Sequence, residues 1–503
     1  MLATAFAAVL LLAPGAQAAE SIYWDNYSAN PNSVGFANID GSGGGPLNLA
    51  GATLRGPEGM AYDPVTNRLF VASYEGGASK EGEIEFVNLD GSGAGVLSTP
   101  GAIVEVPEGI AVDPVSRIVY WANDGGSSSN GSIGWARIDG SAGGVLNTTG
   151  ATVEKPYRLA LDPVAGRVYW ANSAPKVESI SYANVNESGG GNLNLSGAIP
   201  PEDITGLSVD PAGGRIYWLD NNGERISFAS LGGGNGGEVN LTGAVFKSPY
   251  GLALDPSIGR LYWANYGGGK TRTGVFGFAS TSGGGGGISI PTAPVDGPQD
   301  PVILKVPAGT EAPKATRSSS SRSALSCSTG VWGADFPGSF VYRSPRAFAY
   351  QWTSKGKAVK GATAASFQAK SVGKYACVVT ASNQAGSASQ TSAAVNVKAA
   401  KVKLTTKKKA TTGPGGVAKF KLKAVNQGDL KAGGASVCVK VAKKDKSDLK
   451  APKCKSLGGL KGRGKRAVTL KVKVGQSAGG TYPVTFLVRG GAGISAKAKI
   501  LVH

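Results

Sequence analysis

Histidine is nearly absent from the 503 residues: the only one, His503, is the last. Ser-His-Asp and Cys-His sites need an imidazole base, so that chemistry is excluded. Cysteine is scarce too. The four cysteines include no Cys-x-x-Cys pair, which argues against a zinc site. Their positions, Cys327 with Cys377 and Cys438 with Cys454, put an even number in each of two candidate domains. Two disulfides are expected; four free, buried thiols are the alternative. No later stretch stays apolar for the roughly 18 residues a membrane-spanning helix needs. The apolar run 2–13, followed by Ala16-Gln17-Ala18, is too short to span and reads as an export signal over 1–18 that lacks the usual basic start. A soluble, secreted chain without a membrane anchor is therefore expected. Carboxylates thin out at the far end. Residues 401–503 hold 25 Lys+Arg and 3 Asp+Glu, while the first 400 hold 27 and 30. The net charge of +19 thus resides in the tail, which suits an anionic partner.

What the chain has in abundance is repetition. Asp-Pro turns stand at Asp63, Asp113, Asp162, Asp210 and Asp255, 45–50 residues apart. Each precedes an Arg and a strand-like run: RLFVAS, RIVYWAN, RVYWAN, RIYWLD and RLYWAN. A sixth copy, IYWDN from Ile22, opens the region without its turn. Units of this length holding four strand signals specify propeller blades. The third strand recurs six times, from Val34, Ile84, Ile133, Ile180, Ile226 and Val275. The first strand has five internal copies, and GPQDPVIL at 297–304 supplies a sixth that would close the ring with the N-terminal run. An open solenoid is the alternative. The fold class expected is all-β: a six-bladed β-propeller over 20–306 plus two small β-sandwich domains.

The unit PYGLALDPSIGRLYWANYG from Pro249 resembles the YWTD repeat, also called the low-density-lipoprotein-receptor class B repeat. That resemblance covers about 285 residues on six Tyr-Trp-type positions and implies a six-bladed propeller of the kind found on extracellular receptors. Here Ala-Asn, Asp-Asn or Leu-Asp follows Tyr-Trp in place of Thr-Asp. Alternation along the strand sends each Tyr and Trp to opposite faces, so these pairs are expected to be inter-blade core. The repeated aspartates are expected to cap turns, with calcium as the minor reading.

The stretch 307–322 reads as a Pro/Ser/Arg-rich linker. Residues 323–398 carry Cys327, Trp352 and Tyr375-Ala-Cys377, an immunoglobulin-like set with a tyrosine corner, and resemble bacterial immunoglobulin-like repeats that act as spacers or adhesion modules. Residues 401–503 alternate apolar and basic residues, which predicts a second, basic sandwich.

Strand one is innermost in a propeller, so its first residues should ring the channel mouth: Glu58, Glu108, Tyr157, Arg158, Glu202, Asp203, Tyr250 and Asp300. Loops after strand two would add Asn26, Tyr27, Tyr74, Glu75, Asp124, Asn221 and Tyr266. An acidic, tyrosine-rich rim suits a cation, a carbohydrate or an extracellular protein; solvated turns with no ligand are the bland alternative. The expected function is a secreted or envelope-associated binding or adhesion protein, its tail docking to an anionic cell-wall polymer. No nucleic-acid partner, cofactor, metal or catalytic residue is expected. A lactonase- or lyase-like enzyme, either carboxylate-dependent through Glu108 and Glu202 or metal-dependent, and a purely structural surface protein are the alternatives.

Overall fold

A computed structural model describes residues 20–75, 81–126, 130–173, 178–268, 275–291, 293, 295–319, 321–333 and 347–503. The expected export signal lies outside them. Two compact units divide the chain. One comprises the residues up to Ala308 with Trp332–Ala347 and Ser382–Ala388; the other comprises Gly309–Val331, Phe348–Ala381 and Ser389–His503.

The first unit contains six four-stranded antiparallel sheets, the blades of a propeller. Blade 1 joins the two ends of the repeat region, since Pro298–Leu304 pairs with Ser21–Asn26 through Ser21↔Leu304 and Ile22↔Ile303. Blades 2 to 6 begin with Pro57–Asp63, Pro107–Asp113, Pro156–Asp162, Ile204–Asp210 and Pro249–Asp255. These innermost strands contact one another in an unbroken cycle that returns through Pro298–Leu304. The expected closure is therefore the observed one.

Blade faces are held by the aromatic pairs. Tyr120 of blade 3 shares a core cluster with Trp170 of blade 4, Tyr169 with Trp218, Tyr217 with Trp263, and Tyr262 with Trp24. Blade 2 has Phe70-Val71 at these positions and completes the circle, Phe70 with Trp121 and Val71 with Tyr23. The pleat explains this: adjacent residues point to opposite faces, so each blade offers Tyr to one neighbour and Trp to the other.

A polar bond accompanies each aromatic pair. The side chain ending strand two accepts the backbone N–H of the residue 18 positions earlier. Asn123 takes Glu105 N at 3.0 Å, Asn172 takes Glu154 N at 2.9 Å, Asp220 takes Glu202 N at 3.1 Å and Asn265 takes Lys247 N at 3.0 Å. In blade 1 Asn26 takes Asp296 N at 3.0 Å. So the Asn or Asp after Tyr-Trp-x ties down the connection between blades. Blade 2 ends strand two with Ser73, which is too short. There the buried Glu85 accepts a different N–H of the same connection, that of Thr53, twenty positions before Ser73, at 3.1 Å, and receives the Ser73 hydroxyl at 2.6 Å. The repeated aspartates cap turns as expected: Asp63, Asp113, Asp162 and Asp255 each accept the N–H two residues on, and Asp210 that of Gly213.

In the second unit, Cys327–Cys377 and Cys438–Cys454 are both disulfide-bonded. Trp352 is fully buried and stacks on Phe367 at 5.5 Å, and the Tyr375 hydroxyl donates to Ser371 O at 3.0 Å, the tyrosine corner. The expected linker is corrected in part. Ala315–Arg317 is a strand paired with Ala324–Cys327 through Ala315↔Cys327. Its Pro313 precedes the strand, where a missing N–H costs no ladder bond, so the proline content did not exclude pairing. The tail forms two five-stranded sheets facing each other, with Phe420 and Phe486 in contact across them at 5.0 Å.

Replacing Glu85 by Ala leaves the Thr53 N–H and Ser73 hydroxyl unpaired, and unfolding stability should fall by about 2 kcal/mol. Adding Ser73→Asn should restore part of it, because Asn there can accept the Arg55 N–H of the same connection, 18 positions earlier, as in the other blades. Denaturant unfolding of the two variants checks this.

Candidate functional site

Superimposing the six inner strands in register explains the propeller axis. Their third positions are Gly59, Gly109, Arg158, Gly206, Gly251 and Asp300; their fifth are Ala61, Ala111, Ala160, Ser208, Ala253 and Val302. The glycines are steric necessities. A Cβ on Gly59 would lie 2.5 Å from Glu108 O, and one on Gly109 would lie 2.5 Å from Leu159 N. The two exceptions are of opposite charge. They stand on blades 4 and 1, three steps apart and hence across the ring.

Arg158 fills the axis. It is 3% exposed and bonds Asp300 Oδ2 at 3.0 Å. Its five N–H donors are all used. Nε donates to Thr205 O at 3.0 Å, and Nη1 to Asp300 and to Glu58 O. Nη2 donates to the Tyr157 hydroxyl at 3.1 Å and Gln299 Oε1 at 3.4 Å, with Glu58 Oε2 at 3.6 Å. The guanidinium also lies 4.2 Å from the Tyr157 ring centroid and 5.9 Å from that of Tyr250. One side chain therefore contacts five of the six blades.

Around this cation the carboxyls are crowded and dry. Burial pushes Glu58 up to about 7; Arg158 pulls it down and Asp300 raises it again. Burial, then Glu58, drives Glu108 well above the usual carboxylate range, and its Oε2 has no partner among the described residues. Asp25 is wholly buried and likewise raised, first by burial and then by Asp300 and Glu58. Asp300 is raised by burial, against the pull of Arg158. Burial therefore raises all four acids, and the Arg158 charge opposes that rise in each.

Tyrosines cover this plug where the inner strands begin. Tyr27 stacks on Tyr74 at 6.3 Å with their hydroxyls 3.0 Å apart, and meets Tyr266 at 6.3 Å; Tyr266 meets Tyr250 at 5.7 Å. Tyr74 also donates to Glu75 at 3.0 Å. On the other side of the plug, the ring of fifth-position residues lines a cavity of about 180 Å³.

No protein-family model and no curated protein matches the chain. Among solved structures it is similar to a chain of a nidogen/laminin complex, at 17% identity over 52% of this chain and 90% of that one, TM-score 0.41. It is also similar to a gluconolactonase from Xanthomonas campestris, at 16% identity over 57% and 86%, TM-score 0.38. A third is TolB from Acinetobacter baumannii, at 11% over 57% and 66%, TM-score 0.41. Likeness at this level carries no function to the chain.

Of the rim residues expected from sequence, Glu58, Glu108, Tyr157, Arg158, Tyr250 and Asp300 converge at the mouth and axis. Arg158 and Glu58 are buried parts of the plug, and Glu108 is half-buried beside them. Glu202 and Asp203 are corrected. The blade 5 strand starts at Ile204, so Thr205 takes the ring position. Glu202 faces Arg225 at 3.7 Å, and Asp203 accepts from Asn221 at 3.0 Å. Glu108 and Glu202 consequently do not form an acid–base pair. Asp25 was missed, although its signal was present: an acid in YWDN where the other Tyr-Trp copies carry Ala or Leu.

A carboxyl with a raised folded-state pKa binds its proton more tightly in the folded ring. The stabilisation from Glu58 is therefore whole below its ordinary value of 4.5 and lost as pH rises through about 7. The propeller's unfolding midpoint should fall over that window, and Glu58→Gln should flatten the fall. Arg158→Met strands Asp300 and Glu58. It should cost roughly 3–5 kcal/mol at pH 8 and less at pH 5, where protons replace the lost cation. Thermal unfolding at both pH values reads both effects.

Proposed function

We propose that this chain is an exported binding protein. Its propeller mouth presents tyrosines and carboxylates to an extracellular protein or carbohydrate, its immunoglobulin-like module acts as a spacer, and its basic tail domain holds an anionic envelope polymer. The observation that carries this reading is the filled axis. Arg158 with all its donors satisfied occupies the place where a channel substrate would sit, so the accessible chemistry is the tyrosine-covered surface above it. Tyrosine gives large contact area at low entropic cost and keeps a hydroxyl for polar recognition. The two disulfides fit an oxidising compartment.

Catalysis is the weaker reading. Raised carboxyls such as Glu58 and Glu108 suit a general acid, yet Glu58 is buried against Arg158, and Glu202, the expected partner of Glu108, faces Arg225. We therefore assign no enzymatic activity.

The test compares full-length protein with a Tyr74→Ala/Tyr266→Ala variant on arrays of extracellular glycans and matrix proteins. Saturable binding by the parent, weakened about tenfold or more in the variant at unchanged thermal midpoint, is expected. Equal binding by both proteins would remove the mouth from recognition. Turnover of lactones by the parent would favour the enzyme reading instead.

A further inference from the structure

One face of the tail sandwich is a lysine grid. Strand Val417–Asn426 alternates buried and exposed residues, turning Phe420 and Leu422 inward and Lys419, Lys421 and Lys423 outward. Its neighbour Lys465–Val474 turns Leu470 and Val472 inward and Lys471 and Lys473 outward, with Lys465 at its start. Register places Lys419 directly opposite Lys471. On the next strand Lys450 stands directly opposite Lys473. Lys403 extends the grid on the far side, opposite Val425. Like charges opposite each other destabilise a sheet, and here nothing neutralises them. None of these lysines has a carboxylate within ion-pair range among the described residues.

The three acids of the tail are engaged elsewhere. Asp429 is 1% exposed and lies 3.7–3.8 Å from Arg317, Arg322 and Arg463. Asp448 accepts from the Tyr482 hydroxyl at 2.9 Å, and Asp445 is buried. The opposite sheet is sparser, with Lys409, Lys440, Lys497 and Lys499 exposed on its outer side.

We infer that the face formed by Lys419, Lys421, Lys423, Lys471 and Lys473 docks a linear polymer whose repeating anion is a phosphodiester. This deepens the anchoring reading above and rests on it. Cations repeat about every 7 Å along each strand and about 5 Å between strands, so an extended chain meets successive charges. The five charges of this face are ammoniums, each of which pairs with tetrahedral phosphate as a point charge. Arg466, the exposed arginine near the start of strand Lys465–Val474, donates its Nη1 to Leu457 O. No aromatic side chain projects between the lysines, so nothing stacks on a base or sugar ring.

Full-length protein is titrated with a synthetic glycerol-phosphate oligomer and, separately, with polygalacturonate at equal charge and ionic strength. Two variants each lose four charges. One carries Lys419→Gln, Lys421→Gln, Lys471→Gln and Lys473→Gln; the other carries Lys409→Gln, Lys440→Gln, Lys497→Gln and Lys499→Gln. The proposal expects the phosphate oligomer to bind the parent more tightly than polygalacturonate does. It expects the first variant to lose about tenfold or more in affinity, with a shallower salt dependence, and the second to lose about threefold or less. Equal losses in both variants would overturn the assignment to this face while leaving electrostatic anchoring standing. Tighter binding of polygalacturonate would overturn the phosphodiester. Absence of binding to either polymer would overturn the anchoring reading as well.

Discussion

A ring of six twisted sheets closes only if the six innermost strands approach one another, and that approach fixes what can occupy the axis. Four of the six third-position residues are glycine because a Cβ there would collide with the neighbouring strand. The space they free is taken by a single guanidinium that reaches across to Asp300. Arg158 is thus a structural consequence of closure and also the group that decides the electrostatics of the mouth. Its charge lowers the pKa of each surrounding carboxyl against the burial that raises it, and it separates a tyrosine-covered surface on one side from a cavity on the other. A buried ion pair of this kind gains little against an apolar filling, but removing one partner from it is expensive.

The blades show how one polar problem is solved repeatedly with different residues. Each connection between blades leaves a backbone N–H that needs an acceptor, since an unpaired buried donor costs as much as a lost hydrogen bond. Asn supplies that acceptor in four blades and Asp220 in a fifth. In blade 2, where strand two ends in the short Ser73, Glu85 on the next strand instead accepts the Thr53 N–H of the same connection. The constraint is on the acceptor's position, and residue identity follows from which strand can reach it.

Charge is divided in the tail by the same economy of partners. Its few acids are drawn inward, Asp429 to three arginines and Asp448 to Tyr482, which leaves the outward lysines of one sheet without counter-ions. Two of those arginines, Arg317 and Arg322, come from the segment whose composition resembles a linker. Its folding into a strand and its arginines' pull on Asp429 are therefore parts of one arrangement, and the exposed face owes its charge partly to it.

The 45–50-residue period, the turn aspartates and the Tyr-Trp runs determined the propeller, its six blades and its closure by residues 297–304, because each repeat must bury the same faces against its neighbours. Alternation likewise determined the tail sandwich, and the placing of the cysteines the two disulfides. These are local or periodic properties, and a sequence displays them directly. What only the tertiary structure decided was which side chains meet at the axis. Arg158 and Asp300 are 142 residues apart in the chain, and Asp25 reaches them only because the ring closes. The three-position shift that puts Thr205 on the mouth and moves Glu202 and Asp203 off it follows from where a strand begins. Sequence assigns a residue its address around the ring; whether it points into water or across the axis depends on distances between blades, which no repeat pattern encodes.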